Sequence, residues 1–263
     1  MLKRTITAVI ASALFFPFVI YGGWPLSIVM LLIASIGLFE LLRMRNLTDY
    51  KIPVCLAMLL LWILLLPDAF IGDMLPSAMN KINLLLIISL AILSYTVLLK
   101  NKFTFDDVGF LILGTIYIGL GFHYFVVSRA FGLEYVFYAI VVILITDSGA
   151  YFSGNLFGKH KLLPEISPKK TIEGAIGGAI MAIVAGTIFN FIFPVHDSMI
   201  VVIVVSFFAS LIGQTGDLVE SGLKRHYNVK DSGHLLPGHG GILDRFDSWL
   251  FVFPFLNFIQ FIG

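Results

Sequence analysis

Only one cysteine, Cys55, occurs in 263 residues, so an intramolecular disulfide is impossible and a cysteine-based metal centre is not expected. Charge is also scarce: Asp, Glu, Lys and Arg make up 13% of the chain, against about a quarter in an ordinary soluble domain. Little polar sequence lies between the apolar runs, which leaves almost no room for a water-soluble domain. The first apolar run follows Lys3 and Arg4, but Phe16, Pro17, Phe18, Tyr21 and Trp24 do not form a small-residue cleavage site. That run reads as a retained anchor, not a signal peptide. A formal net charge of +1 argues against nucleic acid as a partner.

Hydrophobic residues make up 59% of the chain and the mean hydropathy is +0.98. These values predict an all-α polytopic integral membrane protein. Because roughly 20 apolar residues cross the hydrocarbon core as a helix, spans are expected near 5–21, 24–42, 52–66, 81–99, 108–128, 134–157, 172–194, 199–216 and 241–262. The count is therefore about nine. The third span is short, and the eighth meets polar sequence at Gln214, where tilting, a break or re-entry is open. With the N-terminus in the cytoplasm, all of the 17 Lys and Arg residues except Lys81 and Arg129 fall on the cytoplasmic side. The polar loops, and any chemistry they carry, are expected to face the cytoplasm.

The chain is expected to divide into scaffold helices at 1–132, with lipid contacts, and a region carrying the chemistry at 133–263. In the first part Glu40 is expected to snorkel to the interface or to serve structure, and His123 to hydrogen-bond a neighbouring helix. In the second part polar residues form three blocks. The first, 145–174, contains Asp147 inside a span, where an ionised group costs ~2.5–3.5 kcal/mol, so a function is the default hypothesis beside an interhelical hydrogen bond to Ser or Tyr. It also carries Lys159, Lys161, Lys169 and Lys170, which by themselves read equally as a positive-inside signal at the membrane surface, and a helix start with Thr171 at the cap. In the second block, 213–226, a helix would place Asp217, Ser221 and Lys224 on one face with Glu220 beside them.

The third block, 235–248, is glycine-rich. Gly238, Gly240 and Gly241 allow backbone amides to approach phosphate oxygens, and the following helix start favours an anion. Asp244, Asp247 and Ser248 then share one helical face, where two carboxylates can hold one hard divalent cation. Lys224, Arg225, Lys230 and Arg245 suit phosphate oxygens, and Asp231 joins the carboxylates. Cations, carboxylates and flexible backbone in one stretch point to metal-assisted nucleotide chemistry.

The stretch 221–247 resembles the phosphatidate cytidylyltransferase (CDP-diacylglycerol synthase) family, whose pattern is similar to S-x-x-K-R-x4-K-D-x-G-x2-L-P-x-H-G-G-x-x-D-R-x-D. Ser221, Lys224, Arg225, Lys230, Asp231, Gly233, Leu236, Pro237, His239, Gly240, Gly241, Asp244, Arg245 and Asp247 occupy every fixed position. The upstream DSGAYFSGNLFGKHKL and ISPKKTIEG also resemble the family. The resemblance implies a nucleotidyltransferase that moves a cytidylyl group from CTP to phosphatidate within membrane lipid, often as a homodimer. It implies catalytic roles for Ser221, Lys224, Arg225, Asp244 and Asp247. Substrate contacts are expected from Lys169, Lys170, Lys230, His239, Gly240, Gly241 and Arg245. Asp217, Asp244, Asp247 and Asp231 are the expected ligands of Mg2+, with a second cation open. Ser221 serves either a phosphate or the metal shell, and Asp231 either the metal or Lys230.

Two alternatives stand beside this reading. One is CTP-dependent transfer onto another membrane lipid. The other is a cation transporter with Asp147 and Asp217 along an ion path. A transporter predicts related repeats, and the two halves show no convincing repeat. Lysine and arginine beside most of the acidic motif residues would also repel a transported cation.

Overall fold

The structure is a computed structural model that describes residues 2–67, 80–235 and 240–262, with only the backbone described for 2–5 and 8. The long apolar runs fold as α1 (Leu2–Tyr21), α2 (Gly23–Met44), α3 (Lys51–Leu65), α4 (Lys81–Leu98), α5 (Phe105–Phe131), α6 (Leu133–Phe157), α7 (Ile172–Ile192) and α8 (Met199–His226). Two short helices follow, α9 (Leu243–Phe246) and α10 (Trp249–Phe258). Among the described residues, α2, α4, α5, α6, α7 and α8 are long and apolar enough to cross a membrane. Shorter apolar stretches lie at Val9–Tyr21, Lys51–Leu65 and Trp249–Phe258. The protein is thus a helical membrane protein.

Two expected spans take a different form. The eighth does not stop near 216 but continues unbroken for 28 residues to His226. The ninth is not one helix, because α9 and α10 are separated at Asp247–Ser248. There the Asp247 carboxylate accepts the Ser248 amide at 2.6 Å, a local bond that competes with the helical ladder. The loop expected at 158–171 instead contains an antiparallel hairpin of β1 (Lys161–Leu163) and β2 (Ser167–Thr171), pairing Lys161 with Thr171 and Leu163 with Ser167. Pro164 follows the first turn residue, and Ile166 N–H donates to the Leu163 carbonyl at 3.2 Å, a β-turn that suits proline at its second position. Pro168 is tolerated because both strands of a two-stranded sheet are edges.

The chain forms two compact units, Met1–Val126 with Ser232–Leu243, and Val127–Asp231 with Asp244–Gly263. In the first, Leu26, Met30, Leu38, Leu60, Leu61 and Phe122 are buried. Arg45 Nε donates to Asp107 Oδ1 at 2.8 Å and the Arg45 guanidinium lies over the Phe110 ring. His123 Nδ1 meets the Leu65 carbonyl at 2.9 Å, the expected tie to a neighbouring helix. Glu40 does not snorkel; it is buried.

In the second unit α6, α7 and α8 pack closely. A Cβ at Gly174 would come within 2.8 Å of the Ala150 carbonyl oxygen, and one at Gly178 within 2.7 Å of that of Thr146. These glycines let the α6 and α7 backbones approach closely. Thr171 caps α7 as the sequence predicts, accepting the Gly174 amide at 3.1 Å. Glu173 accepts the amides of Lys159 and His160 and pairs with His160 Nδ1 at 2.6 Å, fastening the hairpin to the start of α7.

Candidate active site

A cavity of about 540 Å3 in the second unit opens between the hairpin and the ends of α6, α7 and α8. Its chemistry is divided by element. The hairpin supplies Lys161, Lys169 and Lys170, α6 supplies Asp147, Tyr151 and Asn155, and α8 supplies Gln214 and Asp217. Lys170 Nζ pairs with Asp217 Oδ2 at 2.5 Å. The hydroxyl of Ser221, one turn further along α8, donates to Asp217 Oδ1 at 3.3 Å. Gln214 Nε2 donates to the Ala175 carbonyl at 3.3 Å, tying α8 to α7 at the cavity wall.

A second cluster lies further along α8. Lys224 pairs with Glu220, on the same helix, and with Asp244 Oδ1 at 2.6 Å. Glu220 is buried and the side chains of Lys224 and Asp244 are 14% and 5% exposed. One ammonium therefore serves two carboxylates in a poorly solvated place, where removing it would leave uncompensated charge. The expected helical face holds for Asp217 and Ser221, but Lys224 turns to Glu220 and Asp244.

Asp247 connects the two clusters electrically, since its carboxylate feels the charges of Asp217, Asp147 and Lys224. Asp147 in turn feels Asp217, Lys170 and Arg245. Close packing of α8 against the segment after α9 places Asp247 there. A Cβ at Gly216 would lie 2.6 Å from the Asp247 carbonyl oxygen, and one at Gly213 3.3 Å from Val252. The glycines of the GQTGD stretch thus bring Asp217 and Asp247 toward one region.

The remaining expected residues are placed as follows. Arg225 Nε donates to the Ile166 carbonyl at 3.3 Å, bracing the hairpin turn. Lys230, Asp231 and Arg245 are exposed. Gly240 and Gly241 belong to the first unit, and residues 236–239, which include Gly238 and His239, lie outside the described residues. Gly240 has φ +85°, a backbone conformation that favours glycine. A Cβ at Gly241 would intrude on the Glu40 carboxylate and Ser232 Oγ.

Sequence reasoning gave no role in the site to Lys161, Tyr151, Asn155 or Gln214, all of which line the cavity. The polar interruption of an apolar helix at Gln214 was the available signal. For the other three, the hairpin and the α6 register were needed. Asp147 stood out in the sequence through the cost of its charge, but its neighbours are distant in the chain.

The cytidylyltransferase family matches residues 2–262 of the chain. A phosphatidate cytidylyltransferase of Bacillus subtilis (strain 168) is 51% identical over 262 residues, covering 98% of this chain and 97% of its own. The phosphatidate cytidylyltransferases of Staphylococcus haemolyticus (strain JCSC1435) and Staphylococcus epidermidis (strain ATCC 12228 / FDA PCI 1200) are 46% and 45% identical, each covering 97% of both chains. With a full-length family match and full-length relatives of this similarity, the chain belongs to the cytidylyltransferase family.

Proposed function

We propose that this protein transfers CMP from CTP to phosphatidate, giving CDP-diacylglycerol and pyrophosphate for phospholipid synthesis. The observation that carries the reading is the divided cavity, in which hairpin lysines face the carboxylates of Asp147 and Asp217. A triphosphate needs cations around its oxygens and a carboxylate-held divalent ion beside them. The names of the full-length relatives support the substrates.

The residues fit Mg2+ by the chemistry of their donors. Among the described residues no group of three or more His, Cys, Asp or Glu side chains forms a ready-made metal cage. Mg2+ does not require one, because it takes one or two carboxylates and completes its shell with substrate phosphates and water. Asp217 and Asp247 would hold it, with Asp244 and Asp231 the further ligands expected from the sequence and a second cation open. When bound, it supplies neutralisation of charge on the nucleotide phosphates.

Phosphatidate brings its own nucleophile. A phosphate oxygen of the lipid attacks the α-phosphorus of CTP, the bond from that phosphorus to the oxygen bridging toward the β-phosphorus breaks, and pyrophosphate leaves with the electron pair. No covalent enzyme intermediate is needed, so catalysis rests on placement and electrostatics. Lys169 and Lys170 meet the triphosphate, and Ser221 steadies Asp217. Lys224 holds Asp244, while Arg245 offsets the charge at Asp147. Lys230, His239, Gly240 and Gly241 are further substrate contacts inferred from the family pattern.

The enzyme works as a homodimer of about nine-span subunits, with its N-terminus and site on the cytoplasmic side of the bacterial cell membrane. The positive-inside distribution supports the orientation, and the resemblance supports the dimer. Purified protein in detergent, given phosphatidate, Mg2+ and CTP labelled at the α-phosphate, is expected to move label into CDP-diacylglycerol, and EDTA to stop it. Absence of lipid label from folded protein, or label undiminished by excess EDTA, would overturn the substrate or the metal assignment respectively.

A further inference from the structure

The first unit contains a carboxylate whose partners are far away in the chain. Glu40 lies near the C-terminal end of α2 and is buried, with a relative exposure of 6%. Its Oε1 accepts the Ile242 amide at 3.0 Å, and its Oε2 accepts the Leu243 amide at 3.1 Å and the Ser232 hydroxyl at 3.2 Å. Both described ends of the glycine-rich loop, Ser232–Gly233 and Gly240–Leu243, therefore converge on one carboxylate.

The glycines at those ends are explained by the same group. A Cβ at Gly233 or Gly241 would be driven into the Glu40 carboxylate. One turn before Glu40, Gly37 leaves room for the buried side chain of Leu243, whose Cδ2 would lie 3.2 Å from a Cβ placed there. The α2 surface thus offers a small-residue seat for Leu243 and an anion for the adjacent amides. Amide-to-carboxylate bonds are charge-assisted, and three donors leave little reason for this carboxylate to turn to water.

We infer that Glu40 is a positioning residue for the transfer reaction, holding together the two described ends of the glycine-rich loop, the second of which directly precedes Asp244 and Arg245 in the chain. It touches neither the reacting atoms nor the phosphates in this role. The inference rests on the cytidylyltransferase reading. It assigns a function to a residue outside the family pattern, and it gives Gly233 and Gly241 a role as neighbours of a protein carboxylate.

The test compares Glu40→Gln, Glu40→Asp and Gly241→Ala with the unaltered protein in detergent. The readouts are kcat, KM for CTP and for phosphatidate, Tm, and hydrogen exchange of the 242 and 243 amides. Glu40→Gln keeps the volume but replaces one acceptor oxygen by a donor. It is expected to speed exchange at those amides and to lower kcat, each by about 10-fold or more. KM for both substrates is expected to stay within about twofold, as for a loss confined to the transition state. Glu40→Asp is expected to recover part of kcat and amide protection together. Gly241→Ala, which drives a methyl into the Glu40 carboxylate, is expected to speed exchange at the same two amides with Glu40 intact.

A Glu40→Gln protein with unchanged kcat or unchanged amide exchange would overturn the inference. So would loss of folded protein in all three variants, which would make Glu40 a folding residue only. If the unaltered protein transferred no CMP while the amides remained protected through Glu40, the functional reading would fall and the clamp itself would stand.

Discussion

Glu40 in the first unit and Asp217 in the second are both carboxylates on long apolar helices, and they are handled in opposite ways. Glu40 is buried and receives two backbone amides and a hydroxyl, all neutral donors supplied by the chain itself. Asp217 is partly exposed to a cavity, paired with the mobile-stemmed Lys170, and within electrical reach of two other carboxylates, Asp147 and Asp247. The first arrangement is complete without a ligand. The second gathers negative charge that a bound cation would relieve, which separates a carboxylate used for structure from those available for chemistry.

The sharpest check on that contrast is Asp247→Asn. It is expected to lower kcat by about 10²- to 10³-fold, while thermal melts in EDTA show no loss of Tm, because repulsion with Asp217 and Asp147 is relieved. A large fall in Tm would mean that Asp247 holds the fold together and is not a carboxylate kept for a cation. Lys224→Met tests the opposite sign. It strands Glu220 and Asp244, so stability should fall by about 3–5 kcal/mol, and adding Glu220→Gln should restore part of it in the same melts.

Smaller effects compare packing in the two units. Gly178→Ala pushes a methyl to 2.7 Å from the Thr146 carbonyl oxygen, and an overpacked site of this kind should cost about 1–3 kcal/mol. Gly109 in the first unit is exposed, and a Cβ there meets nothing within 4 Å. Gly109→Ala should therefore raise stability by about 0.5–1 kcal/mol through the unfolded chain. Equal responses of the two glycines in melts would show that close approach of α6 and α7 does not limit the second unit.

Much of this contrast was legible in part. The apolar runs at 24–42, 81–99, 108–128, 134–157 and 172–194 announced helices, because length and hydropathy are local properties. Thr171 announced a cap, and the helical spacing of Asp217 and Ser221 announced their contact. The hairpin did not show, since Lys161, Lys169 and Lys170 read equally well as a membrane-surface charge signal. The break at Asp247 did not show either; there the carboxylate accepts the amide of the next residue, a local bond that no apolar pattern announces. For Glu40 the sequence suggested snorkelling, as its partners lie 192 to 203 residues away.

The sequence by itself determined the membrane class, most of the helices, the carboxylates and cations available for nucleotide chemistry, and through its motif the family. Those follow from composition, periodicity and residue order. Which carboxylate meets a cation, which receives only backbone amides, and which lysine enters the cavity were decided by tertiary structure alone. Burial and through-space charge depend on groups that the chain order keeps apart, and only packing brings them together.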